Sequence, residues 1–137
     1  MSAMGSAEGS PDLPRRAPLA RIDSGEHEGV HLVTVEGELD ISNVGTLEGA
    51  AFDLPNEALG VVLDLSATSY IDSATLGLLF KLRHALQRRG QALRVVCGPE
   101  SSARRVLDLA GFGSDLAGER DCGEAIAAIR REVVVHE

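Results

Sequence analysis

VVLDLSATSYIDSATLGLLFKLRHALQRRG, Val61 to Gly90, changes its hydrophobic period partway along. Val61 to Leu65 is an apolar run broken by one acid, the pattern of a short buried strand. From Ser73 the apolar residues recur every three or four positions, which predicts a helix to Arg89 stopped by Gly90. Thr75, Leu79, Leu82 and Leu86 share one arc of that helix, with Leu78 and Ala85 beside it, and this arc should face a sheet. Lys81, His84 and Arg88 fall on the far side. Leu76 and Phe80 sit off the core arc, next to Arg83 and Gln87. Two readings of that pair stand open: packing under a neighbouring element, or a partner patch with a polar rim.

The neighbouring segments extend this strand-helix unit in both directions. Residues 1–18 carry three of the five prolines and almost no apolar periodicity, and are expected to be a flexible tail. Leu19 to Asp23 reads as a short strand, Ser24 to Glu28 with Gly25 as a turn, and VHLVTV, Val30 to Val35, as a second strand. GELD, Gly37 to Asp40, closes that strand, and Ser42 is a candidate cap for a helix to about Phe52. Pro55 and Asn56 break the chain. ALRVVC, Ala92 to Cys97, is the next strand. Gly98-Pro99 then opens a helix with proline at its first position, ending near Gly111. A brief strand is expected around Leu116. Asp121 and Glu124 have capping-box spacing and begin a helix with Ile126 and Ile129 inward. The closing VVVHE has no clear assignment.

Strands joined through helices imply parallel pairing with right-handed crossovers, while the first two strands suit a hairpin. The expected fold class is α/β: a mixed β-sheet with helices packed on it. The domain is expected to span residues 19–132, with a C-terminal tail at 133–137.

The chain has 137 residues, 44% of them hydrophobic and only 3% aromatic, enough for one mainly aliphatic core. A formal net charge of -8 argues against nucleic acid or an anionic membrane surface as the main partner. Cys97 and Cys122 lie far apart and form no CxxC pair or Cys/His cluster, so no zinc site is expected. No leader-like h-region is seen, and no apolar run approaches the roughly 20 residues that span a bilayer. The expectation is a cytoplasmic, reduced protein without a cofactor.

Ser73 stands where the helix begins. One role for it is the N-cap, its side-chain oxygen accepting from a first-turn N–H. The other uses the same place in the chain: a helix N-terminus tolerates an added phosphate. Such a phosphate brings about -1.5 to -2 charge and, beside Asp72 and near Asp40, would repel a docked partner. GELD together with VVLDLSATSYIDSATLGLL and RVVCGPESSARRVLDLAGF resembles the STAS domain of bacterial anti-sigma factor antagonists, over about residues 19 to 132. The D-S-x-x-L-G pattern is the most specific part. The resemblance implies that Ser73 is phosphorylated by an anti-sigma factor serine kinase. The unphosphorylated form binds that kinase and frees the sigma factor, and a PP2C-type phosphatase restores it. It also implies a partner surface containing Asp40 and Asp72, to which Leu76 and Phe80 are added from the helical wheel. Ala74 and Thr75 depart from the family pattern, which often has a second hydroxyl residue and then glycine.

Two other functional classes are compatible with parts of the sequence. Asp40 and Asp64 as paired carboxylates would suit a phospho-accepting enzyme-like receiver, but the only lysine, Lys81, is inside the predicted helix. No P-loop or G-x-S-x-G elbow occurs, and His27, His31, His84 and His136 are scattered and read as surface residues, so no enzyme is expected. The remaining alternative is a STAS scaffold subunit, in a stress-signalling or lipid-transport complex, that never cycles through phosphate.

Overall fold

The computed structural model describes residues 20–112 and 116–135. The elements run β1 (Ala20–His27), β2 (Val30–Leu39), α1 (Val44–Phe52), β3 (Gly60–Ile71), α2 (Ser73–Arg88), β4 (Ala92–Val96), α3 (Ser102–Leu109) and α4 (Cys122–Val135). The sheet order is β1-β2-β3-β4. β1 and β2 pair antiparallel, and β3 is parallel to both β2 and β4. This is the expected mixed sheet with helices on it.

Side chains alternate across each strand, so β2, β3 and β4 feed two cores. Val33, Val35, Val61, Leu63, Leu65, Leu93 and Val95 face one side, where Leu47, Leu79, Leu82, Leu86 and Leu107 of α1, α2 and α3 cover them. Val30, Val62 and Val96 face the other side, against Ala125, Ile126 and Ile129 of α4. The α2 arc is buried as its spacing predicts: Thr75, Leu78, Leu79, Leu82 and Leu86. Arg94 also points to the α4 side, where its guanidinium bonds Glu132 at 2.6 Å and lies 3.6 Å from Glu119.

Several boundaries differ from expectation. Gly25 is not a turn: β1 continues to His27, and Gly25 pairs with Leu32. The real turn is Glu28-Gly29, both at positive φ (55° and 85°), a geometry that matches the strand twist of a two-residue hairpin. Gly25 is tolerated because β1 is an exposed edge strand. β3 runs on through SATSYI to Ile71, and the Thr68 hydroxyl donates to the Val35 carbonyl across the sheet at 3.1 Å. α1 starts after Asn43, not Ser42. α3 is capped by Ser101, whose hydroxyl oxygen accepts from Arg104 N–H at 3.1 Å, so Pro99 lies ahead of the helix. Leu116 is helical rather than in a strand, its N–H donating to the Phe112 carbonyl. Asp121 does cap α4, accepting from Glu124 N–H at 2.9 Å. α4 continues to Val135, three residues into the segment read as a tail. The expected N-terminal tail, Leu19, His136 and Glu137 lie outside the described residues.

Two glycines give a paired test. A Cβ on Gly60 would sit 2.2 Å from the Ala92 carbonyl oxygen, whereas one on Gly77 in α2 meets nothing within 4 Å. Gly60→Ala is expected to destabilise the fold by about 2–3 kcal/mol through overpacking. Gly77→Ala is expected to stabilise it by about 0.5–1 kcal/mol through helix propensity. Urea denaturation of both variants checks the opposite signs.

Candidate functional site

β2 and β3 end side by side, Leu39 paired with Ile71. Parallel neighbours lie about 4.8 Å apart, so the next residue of each strand, Asp40 and Asp72, enters the same corner. Both preceding residues are buried, Leu39 at 0% and Ile71 at 1% exposure, which anchors the corner to the core.

Asp72 is the N-cap of α2. Its backbone is extended, and its Oδ1 accepts from Thr75 N–H at 3.2 Å. Its carbonyl accepts from Thr75 and Leu76 N–H. The cap expected at Ser73 is therefore one residue earlier. Aspartate and serine cap equally well, so the sequence pair Asp-Ser did not separate them. Ser73 is the first helical residue and is exposed. Among the described residues its hydroxyl has no hydrogen-bond partner. Thr75, the other hydroxyl of the motif, is fully buried.

Asp40 organises the turn opposite. Its Oδ1 accepts from both the N–H and the hydroxyl of Ser42, its carbonyl accepts from Asn43 and Val44 N–H, and its own N–H donates to Asn43 Oδ1 at 3.0 Å. The Ser42 hydroxyl, then the Ser42 N–H, hold the Asp40 carboxyl below the usual aspartate range. Ser42, expected as a helix cap, is used here instead.

Leu76 and Phe80 part company. Leu76 is half-buried against the main core. Phe80 is 55% exposed, yet one side of its ring packs on Phe112, with centroids 4.5 Å apart. Sequence reasoning missed Ile41 and Tyr70, 80% and 48% exposed, which flank Asp40 and Asp72 in the chain. An isoleucine directly after a strand-closing aspartate, outside any apolar periodicity, was the available signal.

Asp40 and Asp64 do not assemble as a carboxylate pair. Asp64 pairs with Thr34, five residues of β2 before Leu39 and so well over 15 Å from the corner at about 3.3 Å per residue. Asp64 accepts from Ser66 and lies by Cys122, whose thiol is pushed up to about 12, first by burial and then by this carboxylate. Burial likewise raises the Cys97 thiol. His31 is not a surface residue: it is buried, with Nε2 2.8 Å from the Ala50 carbonyl oxygen near the end of α1. His27 and His84 are exposed, and His136 lies outside the described residues. Among the described residues no group of three His, Cys, Asp or Glu side chains is placed to hold a metal, and no helix is long and apolar enough to cross a membrane.

Comparison with solved structures shows what the whole chain is similar to. An anti-sigma factor antagonist from Mycobacterium paratuberculosis is 28% identical, with a TM-score of 0.67 over 88% of this chain and 97% of its own. The anti-sigma factor antagonist SpoIIAA, a Bacillus cell fate determinant, is 18% identical in its unphosphorylated and phosphorylated forms, with TM-scores of 0.65 and 0.61. Those matches cover 80% of this chain and 96% and 99% of theirs. A sulfate transporter family protein from Wolinella succinogenes, 20% identical, shares the fold at a TM-score of 0.63 over 79% of this chain and 89% of its own. A comparison with curated proteins finds no match. The STAS domain family model matches residues 21–125, and the chain belongs to the STAS domain family.

Proposed function

We propose that this protein is a cytoplasmic anti-sigma factor antagonist that binds a serine-kinase anti-sigma factor and is switched off by phosphorylation of Ser73. The observation that carries the reading is the division of labour at the corner. Asp72 does the capping, which leaves the Ser73 hydroxyl exposed and without a structural task. Support also comes from the 28% identical relative, itself an anti-sigma factor antagonist.

The same geometry explains how one phosphate acts. The first-turn N–H groups and the helix dipole of α2 favour an anion on Ser73, so the fold need not rearrange. The partner meets a different surface: a neutral hydroxyl becomes a group of about -1.5 to -2 charge beside Asp72 and Asp40. Asp40, Asp72, Leu76 and Phe80 are the partner contacts in this reading, with Asp40 holding its corner turn as well. A PP2C-type phosphatase returns the protein to its binding state. The scaffold alternative keeps the fold and lacks the phosphate cycle; the transporter-family relative, at 20% identity, shares the fold alone.

The function is tested by incubating the purified protein with ATP and each serine-kinase anti-sigma factor of its source organism, then measuring affinity before and after modification. Loss of affinity on phosphorylation is expected; equal affinity of the two forms would sink the switch. Ser73→Ala should bind and resist phosphorylation, with stability within about 0.5 kcal/mol of wild type. Asp72→Ala should instead cost about 1 kcal/mol through the lost cap, read by thermal unfolding.

The acidity of Asp40 has a sign that can be checked. Its folded pKa is lowered from 3.8, so its contribution to the fold is complete above that pH and is lost as pH falls through the lower folded value. Carbon-detected NMR should show Asp40 titrating below 3.8 in wild type, and closer to 3.8 in Ser42→Ala.

A further inference from the structure

The charges of this acidic chain are sorted by region. Residues 73–112 hold seven Lys or Arg and two acids, while the rest of the chain holds six and nineteen. α2 contains no acid at all between Ser73 and Arg88. Arg94 belongs to the α4 side, so the cations of this stretch that reach solvent on the opposite side come from α2, α3 and their ends. Within this positive region stand two of the four large exposed hydrophobics among the described residues, Phe80 at 55% and Leu109 at 84%. Phe112 stands beside the first and follows the second closely in the chain. The Phe80 ring packs on it, the Arg83 guanidinium lies 5.9 Å above its centroid, and Leu109 ends α3 three residues before it. Arg105, one turn before Leu109, is exposed and makes no ion pair among the described residues.

An exposed leucine of this kind has no stabilising role in the fold. Although Asp108 beside it pairs with Arg104, and Lys81 of α2 pairs with Glu48, the exposed Arg105 one turn before it is left to meet an anion, so this surface suits a complement that is acidic at the rim and apolar at the centre. We propose that Phe80, Leu109 and the adjoining Arg105 form a docking surface for an acidic segment of a partner protein that carries leucine or phenylalanine anchors. Ser73 and Phe80 are seven residues apart on α2, so they lie on nearly the same side and about 10 Å apart along the axis. Gly77, between them, leaves that strip without a side chain. A partner seated on Phe80 and Leu109 thus lies along the approach to Ser73, but the docking surface needs no phosphate and does not depend on the switch.

The test is a titration of the isotope-labelled full chain, followed by amide NMR. The probe is a short amphipathic peptide with leucine and phenylalanine on one face and glutamate on the other. The control is the same peptide with lysine for glutamate. Saturable shifts centred on Phe80, Arg105 and Leu109 are expected with the acidic peptide, and at least about tenfold weaker binding with the basic one. Leu109→Ser and Arg105→Glu, both at exposed positions, should each weaken the acidic peptide severalfold without loss of fold. Equal binding of the two peptides, or shifts centred elsewhere, would overturn the proposal. So would the same shifts appearing as protein concentration alone is raised, which would assign the surface to a second copy. Tighter binding of a single-stranded oligonucleotide would assign it to nucleic acid. None of these results depends on whether Ser73 is phosphorylated.

Discussion

One hydrogen bond, from Thr75 N–H to the Asp72 carboxylate, decides what the corner of this protein is able to do. A helix that begins at the end of a buried strand exposes N–H groups that must find acceptors. Asp72 supplies one from the last position before α2, where the backbone is still extended. Its other anchor is the pairing of Leu39 with Ile71, which delivers the two strand ends together. With the cap filled, the next side chain is released from structural duty. A serine in that place is at once fixed in position and chemically available.

The opposite side of the corner is held by similar means. Asp40 gathers Ser42, Asn43 and Val44 into the turn that starts α1. Two acids thus build the site by local bonds, and each brings a negative charge to the place where a further one would arrive on Ser73. The repulsion proposed for the modified state is built from groups the fold already requires. Beyond the corner, residues 73–112 hold seven Lys or Arg against two acids, with Phe80 and Leu109 exposed among them. Acidic corner and basic flank together give the surface a polarity that the net charge of -8 conceals.

The helix faces were legible because burial leaves a period in the sequence: Thr75, Leu79, Leu82 and Leu86 point inward as their spacing requires. The mixed pairing followed from the opening hairpin and the alternation of strands with helices, whereas the order of strands in the sheet comes from the structure. The polar half of β3 was hidden, since SATSYI gains its place through backbone pairing and the Thr68 hydroxyl rather than apolar content. Gly25 carries a turn signal in sequence, while an exposed edge strand accepts glycine. At the site, D-S marked the helix start but not which residue caps it, because that depends on a single backbone conformation. The burial of His31 against the α1 carbonyl and the exposure of Ile41 are tertiary facts with little local signature.

The central claim is that the hydroxyl freed by the Asp72 cap is the acceptor of a regulatory phosphate. It is tested most directly by intact-mass and peptide mass spectrometry after incubation with ATP and lysate of the source organism, with Ser73→Ala alongside and a known kinase substrate as control. The account predicts one added phosphate, located on Ser73 and missing from the variant. A phosphate on another residue, or none while the control is modified, would contradict it.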